Sequence, residues 1–280
     1  MNHADIDYEW EQLAELCYSS SSTYITAQEN QSANRYPNIL AMDSTRVRLS
    51  NGQYINANYV EILEGYKCIA TQAPMLHTVD NFWHMVFENE ISAIVMLTKL
   101  VENSRVKATA YWPSANYMHT TTDQKLTIKL LSDQVVTPTI FIRNVEVSDG
   151  TRSKVVKHIH FTGWPDFGVP DNYNDILAVV DMVLDSSGFP VVHCSAGVGR
   201  AGTFLALLNY NKAQREKINV KVPQIIGRLR EQRTGSVQTK EQFCFIYSCI
   251  QYQNRTLQQP ANTTNKKNWM RSSQSSVPVN

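Results

Sequence analysis

The sequence predicts a single α/β domain in which helices flank a twisted, mixed β-sheet. Three observations lead there. Short β-branched runs dominate the first two thirds of the chain, helical periodicity takes over from Tyr173, and neither a linker nor a repeat interrupts residues 1–255. With 280 residues and 42% apolar content, the chain can bury one sizeable core.

Taken in order, Ile6, Trp10, Leu13 and Cys17 recur at helical spacing and predict an opening amphipathic helix. The run SSSSTYITAQENQSA (19–33) reads as a polar loop. YINANYVEI (54–62) and YKCIATQ (66–72) read as strands, and TVDNFWHMVFEN (78–89) as a helix capped by Thr78. SAIVMLT (92–98) has the apolar content of a buried strand. KLTIKLL (125–131), TIFIRNVEV (139–147) and KVVKHIHF (154–161) alternate as antiparallel strands do. After a helix from Tyr173 and a short strand, GFPVV (188–192), helices are predicted over roughly 201–216, 222–233 and 239–254. Residues 256–280, rich in Ser, Asn, Gln and Pro, read as a disordered polar tail.

Composition narrows the function classes. A formal net charge of +1 argues against nucleic acid as a partner. The five cysteines, at 17, 68, 194, 244 and 249, are scattered and include no CxxC pair, so neither a disulfide framework nor a bound metal is signalled. No cofactor is implied. The acidic, amphipathic start lacks a signal-peptide core, and the longest apolar run, AIVML, is too short for a membrane span. A cytoplasmic protein with no obligate oligomer is the expectation.

One stretch carries chemistry: HCSAGVGRAGTF, 193–204, set between a strand and a helix. A small-residue loop that opens a helix directs backbone N–H groups at one spot, and the helix adds its positive end. Ser195, Ala196, Gly197, Val198 and Gly199 would form this anion cradle, with Arg200 offering a charged fork at its rim. Such a field favours the thiolate of Cys194, which can attack phosphorus. A buried structural cysteine beside a helix is the bland alternative, and the full string argues against it.

HCSAGVGR resembles the HCxxGxxR signature of protein tyrosine phosphatases. NRY (34–36), YINANY (54–59), TQAP (71–74), WPDFGVP (164–170) and QTKEQ (238–242) resemble that family's other landmarks, in its order. The resemblance covers about residues 5–255, one catalytic domain, and looks most like the single-domain phosphatases of bracoviruses, with receptor-type domains next. It implies the family's fold, phosphotyrosine proteins as partners, and metal-free hydrolysis. It implies further that Asp166 is the general acid, on a loop stiffened by Pro165 and Pro170 with Gly163 and Gly168 as hinges, and that Gln238 and Gln242 hold the attacking water. Tyr36 and Phe167 would wall the substrate ring, and Asn38, where several relatives carry aspartate, would grip the peptide backbone. Lys107 and Glu102 would border the closed acid loop, although each alone reads as an ordinary surface charge. His193 reads as a scaffold histidine, and His158 and His160 receive no chemistry.

One position departs from the resemblance. Most relatives carry Ser or Thr directly after the arginine, where this chain has Ala201, which cannot donate a hydrogen bond to the cysteine sulfur. Two other readings stand beside the phosphatase. One is a catalytically weak phosphotyrosine-binding module, which loss of Cys194, Arg200 or Asp166 would have favoured. The other is a dual-specificity, lipid or RNA phosphatase, against which Tyr36 and the long domain argue.

Overall fold

The computed structural model describes residues 3–15, 22–165 and 168–258. Cys17, Asp166, Phe167 and the polar tail beyond residue 258 lie outside them. The chain opens with helix α1 (His3–Glu15) and a one-turn helix α2 (Ile25–Glu29). A hairpin of β1 (Ala57–Leu63) and β2 (Tyr66–Thr71) precedes α3 (Val79–Glu88) and β3 (Ile91–Met96). Next come the small hairpin β4 (Val101–Glu102) and β5 (Arg105–Val106), the short β6 (Met118–Thr120), and the meander β7 (Thr127–Thr137), β8 (Ile140–Ser148) and β9 (Ser153–Phe161). Helix α4 (Tyr173–Leu184), strand β10 (Phe189–His193), and helices α5 (Gly199–Arg215), α6 (Val222–Gln232) and α7 (Lys240–Gln258) complete the described chain.

Eight strands form one mixed sheet in the order β1, β2, β10, β3, β9, β8, β7, β6. Strand β10 runs parallel to both neighbours, with Val191 opposite Ile69 on one side and Ile94 on the other. Residues 190–193 are all buried, as a strand covered on both faces requires, which is why GFPVV shows an unbroken apolar run. One core joins the sheet to α1 and α4–α7 through residues such as Leu13, Val192, Phe204, Ile225 and Phe243. The second, on the opposite face, gathers Phe82, Trp83 and Met85 of α3 against Ile94, Ile128 and Val145. None of the described helices is long and apolar enough to cross a membrane.

Three local expectations change, and one element is new. The predicted polar loop contains α2, because Asp43 accepts the Ile25 and Thr26 N–H groups at 2.7 and 3.1 Å and supplies a cap from a distant segment. Thr78 precedes α3 as expected but does not cap it. Its hydroxyl instead accepts the Met75 N–H at 2.9 Å, closing a 3-10 turn over Leu76–Thr78. Strand β7 continues to Thr137, through exposed residues 131–135 that offer no alternation to read. The β4–β5 hairpin, turned by Asn103 and Ser104 at φ 46° and 59°, has only two residues per strand.

Candidate active site

Strand β10 delivers Cys194, which is buried, at its C-terminal end, and the loop to α5 wraps around it. The loop carbonyls are tied outward. Leu97 N–H donates to the His193 carbonyl and Ala73 N–H to that of Ser195, both at 2.9 Å. The Arg233 guanidinium donates to the Ala196 and Gly197 carbonyls at 3.1 and 3.3 Å, and the Val237 and Gly202 N–H groups donate to that of Val198. A trans peptide points its N–H opposite its carbonyl, so outward carbonyls at 195–198 turn the N–H groups of 196–199 inward. Gly197 shows the result, donating its N–H to Cys194 Sγ at 3.3 Å. It must be glycine: its φ is 76°, and a Cβ there would sit 2.0 Å from the Thr71 carbonyl oxygen.

Arg200 opens α5 at the rim. Its two terminal nitrogens grip the Glu102 carboxylate at 2.7 and 2.9 Å, and they also donate to the carbonyls of Leu97 and Pro165. Glu102, read from the sequence as an ordinary surface charge, is buried. Burial alone would raise its carboxyl, but the hydrogen bonds from Arg200 and Thr98, the Arg200 charge and the Lys99 N–H together hold it below its ordinary value. The Pro165 contact ties the residue before Asp166 to this guanidinium.

The mouth is a pocket of about 290 Å³ that brings Tyr36, Asn38, Lys107, Glu102, Cys194, Ser195, Ala196, Arg200, Gln238 and Gln242 together. The Ser195 hydroxyl donates to the Lys107 carbonyl at 2.8 Å, so its contact with the Tyr36 hydroxyl at 2.9 Å uses the tyrosine proton. Tyr36 is further fixed through its neighbours. Arg35 donates to the Ala73 and Pro74 carbonyls, and its own N–H goes to Gln72. Gln238 and Gln242 lie over the loop: a Cβ on Gly199 would meet their side-chain amides at 2.5 and 3.1 Å. The Gln238 N–H donates to Gln242 Oε1 at 2.9 Å, pairing the two.

Beneath the loop, His193 is buried between the Cys194 carbonyl (3.0 Å from Nδ1) and the Tyr111 hydroxyl (2.7 Å from Nε2). The same hydroxyl meets His158 Nε2 at 2.8 Å, and His160 Nε2 meets the Thr98 carbonyl at 2.8 Å. These rings therefore have partners that the sequence did not show. Burial pushes His193 and His160 down to about 4, and His158 well below the ordinary histidine value.

Sequence reasoning also missed Arg233. It is fully buried, with Asn56 and Asn58 accepting from it at 2.7 and 2.9 Å on one side and the loop carbonyls on the other. A signal existed in NANY, where two amides recur at i and i+2, one just before β1 and one inside it.

The family model for protein-tyrosine phosphatases matches residues 30–252. The chain belongs to this family. Among protein-tyrosine phosphatases it is 39% identical to receptor-type tyrosine-protein phosphatase eta of Gallus gallus over 239 residues, 79% of this chain and 16% of that protein. It is 39% identical to tyrosine-protein phosphatase non-receptor type 20 of Homo sapiens over 230 residues, 79% of this chain and 54% of that protein. It is also 35% identical to phosphatidylinositol phosphatase PTPRQ of Rattus norvegicus, over 86% of this chain and 11% of that protein. The chain thus spans about half or less of the length of these curated relatives. The catalytic domain of human protein tyrosine phosphatase non-receptor type 18 shares its fold, with a TM-score of 0.84 at 28% identity over 90% of this chain and 96% of that one.

Proposed function

We propose that this chain hydrolyses phosphotyrosine in proteins through a cysteinyl-phosphate intermediate. The observation that carries the reading is the ring of outward-tied carbonyls around Cys194, which leaves inward N–H groups for an oxyanion. In this reading the phosphoryl oxygens accept the N–H groups of residues 196–199. Glu102 holds the end fork of Arg200, so phosphate takes the Nε side and draws an Nη2 proton away from the Pro165 carbonyl. The Cys194 thiolate forms a P–S bond as the P–O bond to tyrosine breaks, and Asp166 protonates the departing oxygen. Water placed by Gln238 and Gln242 then gives a proton to Asp166 and attacks phosphorus, breaking the P–S bond and restoring the thiolate. Tyr36 and Phe167 flank the substrate ring, whose length carries phosphate to the pocket floor. Asn38 accepts a peptide N–H at the rim.

The catalytic domain runs from residue 1 through the end of α7 at Gln258, three residues past the boundary expected at 255, and 259–280 form its tail. The cytoplasm keeps thiols reduced, which suits this nucleophile. In a bracovirus product the relevant cytoplasm would be the host cell's, and the activity would interfere with host signalling.

Acid quench during turnover of a ³²P-labelled phosphotyrosine peptide tests the mechanism. Label should appear on the parent protein and be absent from Cys194→Ser. Phosphoserine peptide and phosphoinositide arms test the substrate class. Faster turnover of either than of phosphotyrosine would overturn the proposal.

A further inference from the structure

Val237, immediately before Gln238, is buried and adopts φ 59°, a region that β-branched residues avoid. A strained residue stays in place only where its surroundings over-determine it. Three ties do so here. The Val237 N–H donates to the Val198 carbonyl at 3.1 Å. Arg230 spans two consecutive carbonyls, donating from Nε to Ser236 and from Nη2 to Val237, both at 2.9 Å. The planes of the two peptides that lead into Gln238 are thereby fixed.

Arg230 is itself held from outside the site. Its Nη1 donates to the Leu13 carbonyl of α1 at 2.8 Å, and its guanidinium lies 5.3 Å from the centre of the Trp10 ring. Trp10 also packs on Phe243, at 5.5 Å between centroids, and Phe243 directly follows Gln242. An Asp7–Lys240 ion pair at 2.9 Å and a hydrogen bond from the Tyr247 hydroxyl to Glu9 fasten α1 along the start of α7. Helix α1 therefore meets the supports of both glutamines, while the carbonyl ties of residues 195–197 run through Ala73 and Arg233, and the Val198 carbonyl, which Val237 also reaches, keeps its own bond from the Gly202 N–H at 2.9 Å.

We propose that Arg230 and helix α1 are positioning elements for the second chemical step: they hold Gln238 and Gln242 in register over Gly199 and so set how fast water removes phosphate from Cys194. This rests on the cysteinyl-phosphate reading above. The glutamines act after phosphate has reached sulfur, so disturbing their supports slows the second step and spares the first.

The test is rapid-quench kinetics on Arg230→Met, Arg230→Lys, Trp10→Ala and Gln238→Ala, with the labelled phosphotyrosine peptide. For Arg230→Met the burst rate should stay within about twofold of the parent while steady-state turnover falls roughly five- to twentyfold. The fraction of Cys194 carrying phosphate should rise, and inhibition by inorganic phosphate should stay within about twofold, as the intact cradle requires. Trp10→Ala should shift the same two rates in the same direction by less. Arg230→Lys, which can keep one carbonyl bond, should recover part of the turnover. If Arg230→Met does not fold, the lysine and Trp10 variants decide. Equal losses in burst and steady-state rates, or a lower melting temperature with the two rates in unchanged ratio, would overturn the inference. A parent protein that never carries label refutes the cysteinyl-phosphate mechanism itself. Label that builds up in Gln238→Ala but not in the Arg230 variants refutes the positioning role alone.

Discussion

Replacing Glu102 with glutamine changes one atom in a site where the structure leaves no slack. The Glu102 side chain is 1% exposed and its Arg200 partner 13%. One carboxylate oxygen accepts from Arg200 Nη1, the Thr98 hydroxyl and the Lys99 N–H, and the other accepts from Arg200 Nη2. A glutamine amide can serve the first cluster only by turning its NH2 towards Nη2, where donor meets donor. The variant thus loses a charge-assisted bond and leaves the guanidinium partly unpaired, at a cost of about 3–5 kcal/mol. If about 3 kcal/mol of this falls on the catalytic pose of Arg200, kcat/KM for a phosphotyrosine peptide should drop about 150-fold. Inhibition by inorganic phosphate should weaken with it, because in the proposed mechanism the Nε side of the same guanidinium binds the product. Glu102→Gln is assayed for kcat/KM, phosphate inhibition and thermal melting together. Retention of kcat/KM within about threefold, with unchanged phosphate inhibition, would show that Arg200 holds its place without Glu102.

Ala201 is fully buried in the first turn of α5, and a hydroxyl there is worth about 1.5–3 kcal/mol to a thiolate leaving group. Ala201→Ser should therefore raise kcat about 10- to 150-fold and shrink the burst; a parent without a burst, together with a serine variant that gains nothing, rules this out. Asp166→Ala should lose most rate on aryl phosphates of high phenol pKa and keep its substrate affinity, so equal losses across leaving groups would remove Asp166 as the acid. Acid should destabilise the fold before carboxylates titrate. Buried His158, His160 and His193 are held down, the latter two at about 4, so the unfolded chain binds more protons between about 6.5 and 4. Their stability contribution is complete above about 6.5 and is lost as pH falls towards 4, at up to about 1.4 kcal/mol per pH unit for each ring. A melting temperature flat from pH 7 to 4.5 would contradict this.

What could be read in advance followed from local chemistry. The spacing of Cys194 and Arg200 across a small-residue turn, and the apolar run before it, are properties of twelve or so adjacent residues. What could not be read depends on distant partners. Helix α2 exists because Asp43 caps it from 18 positions away, and no local pattern in a Ser- and Gln-rich run announces that. Glu102 looks exposed by composition and becomes buried only because Arg200, 98 positions on, neutralises it. His158 and His160 looked partnerless because Tyr111 and Thr98 reach them from other elements. The glutamines were placed by family resemblance, while their juxtaposition with Gly199 is a matter of tertiary packing.

Arg233 divides the molecule's vulnerabilities in two. Its buried charge is balanced by Asn56, Asn58 and the carbonyls of Ala196 and Gly197, so losing it strands polar groups on two elements at once. Cys194, by contrast, can lose its sulfur without disturbing any of those ties. On the proposed mechanism, reactivity is thus dispensable to folding, whereas the ties that shape the loop around Cys194 are not. On the same mechanism, a lineage of such chains can fall silent as a catalyst in one substitution and still bind what it once hydrolysed.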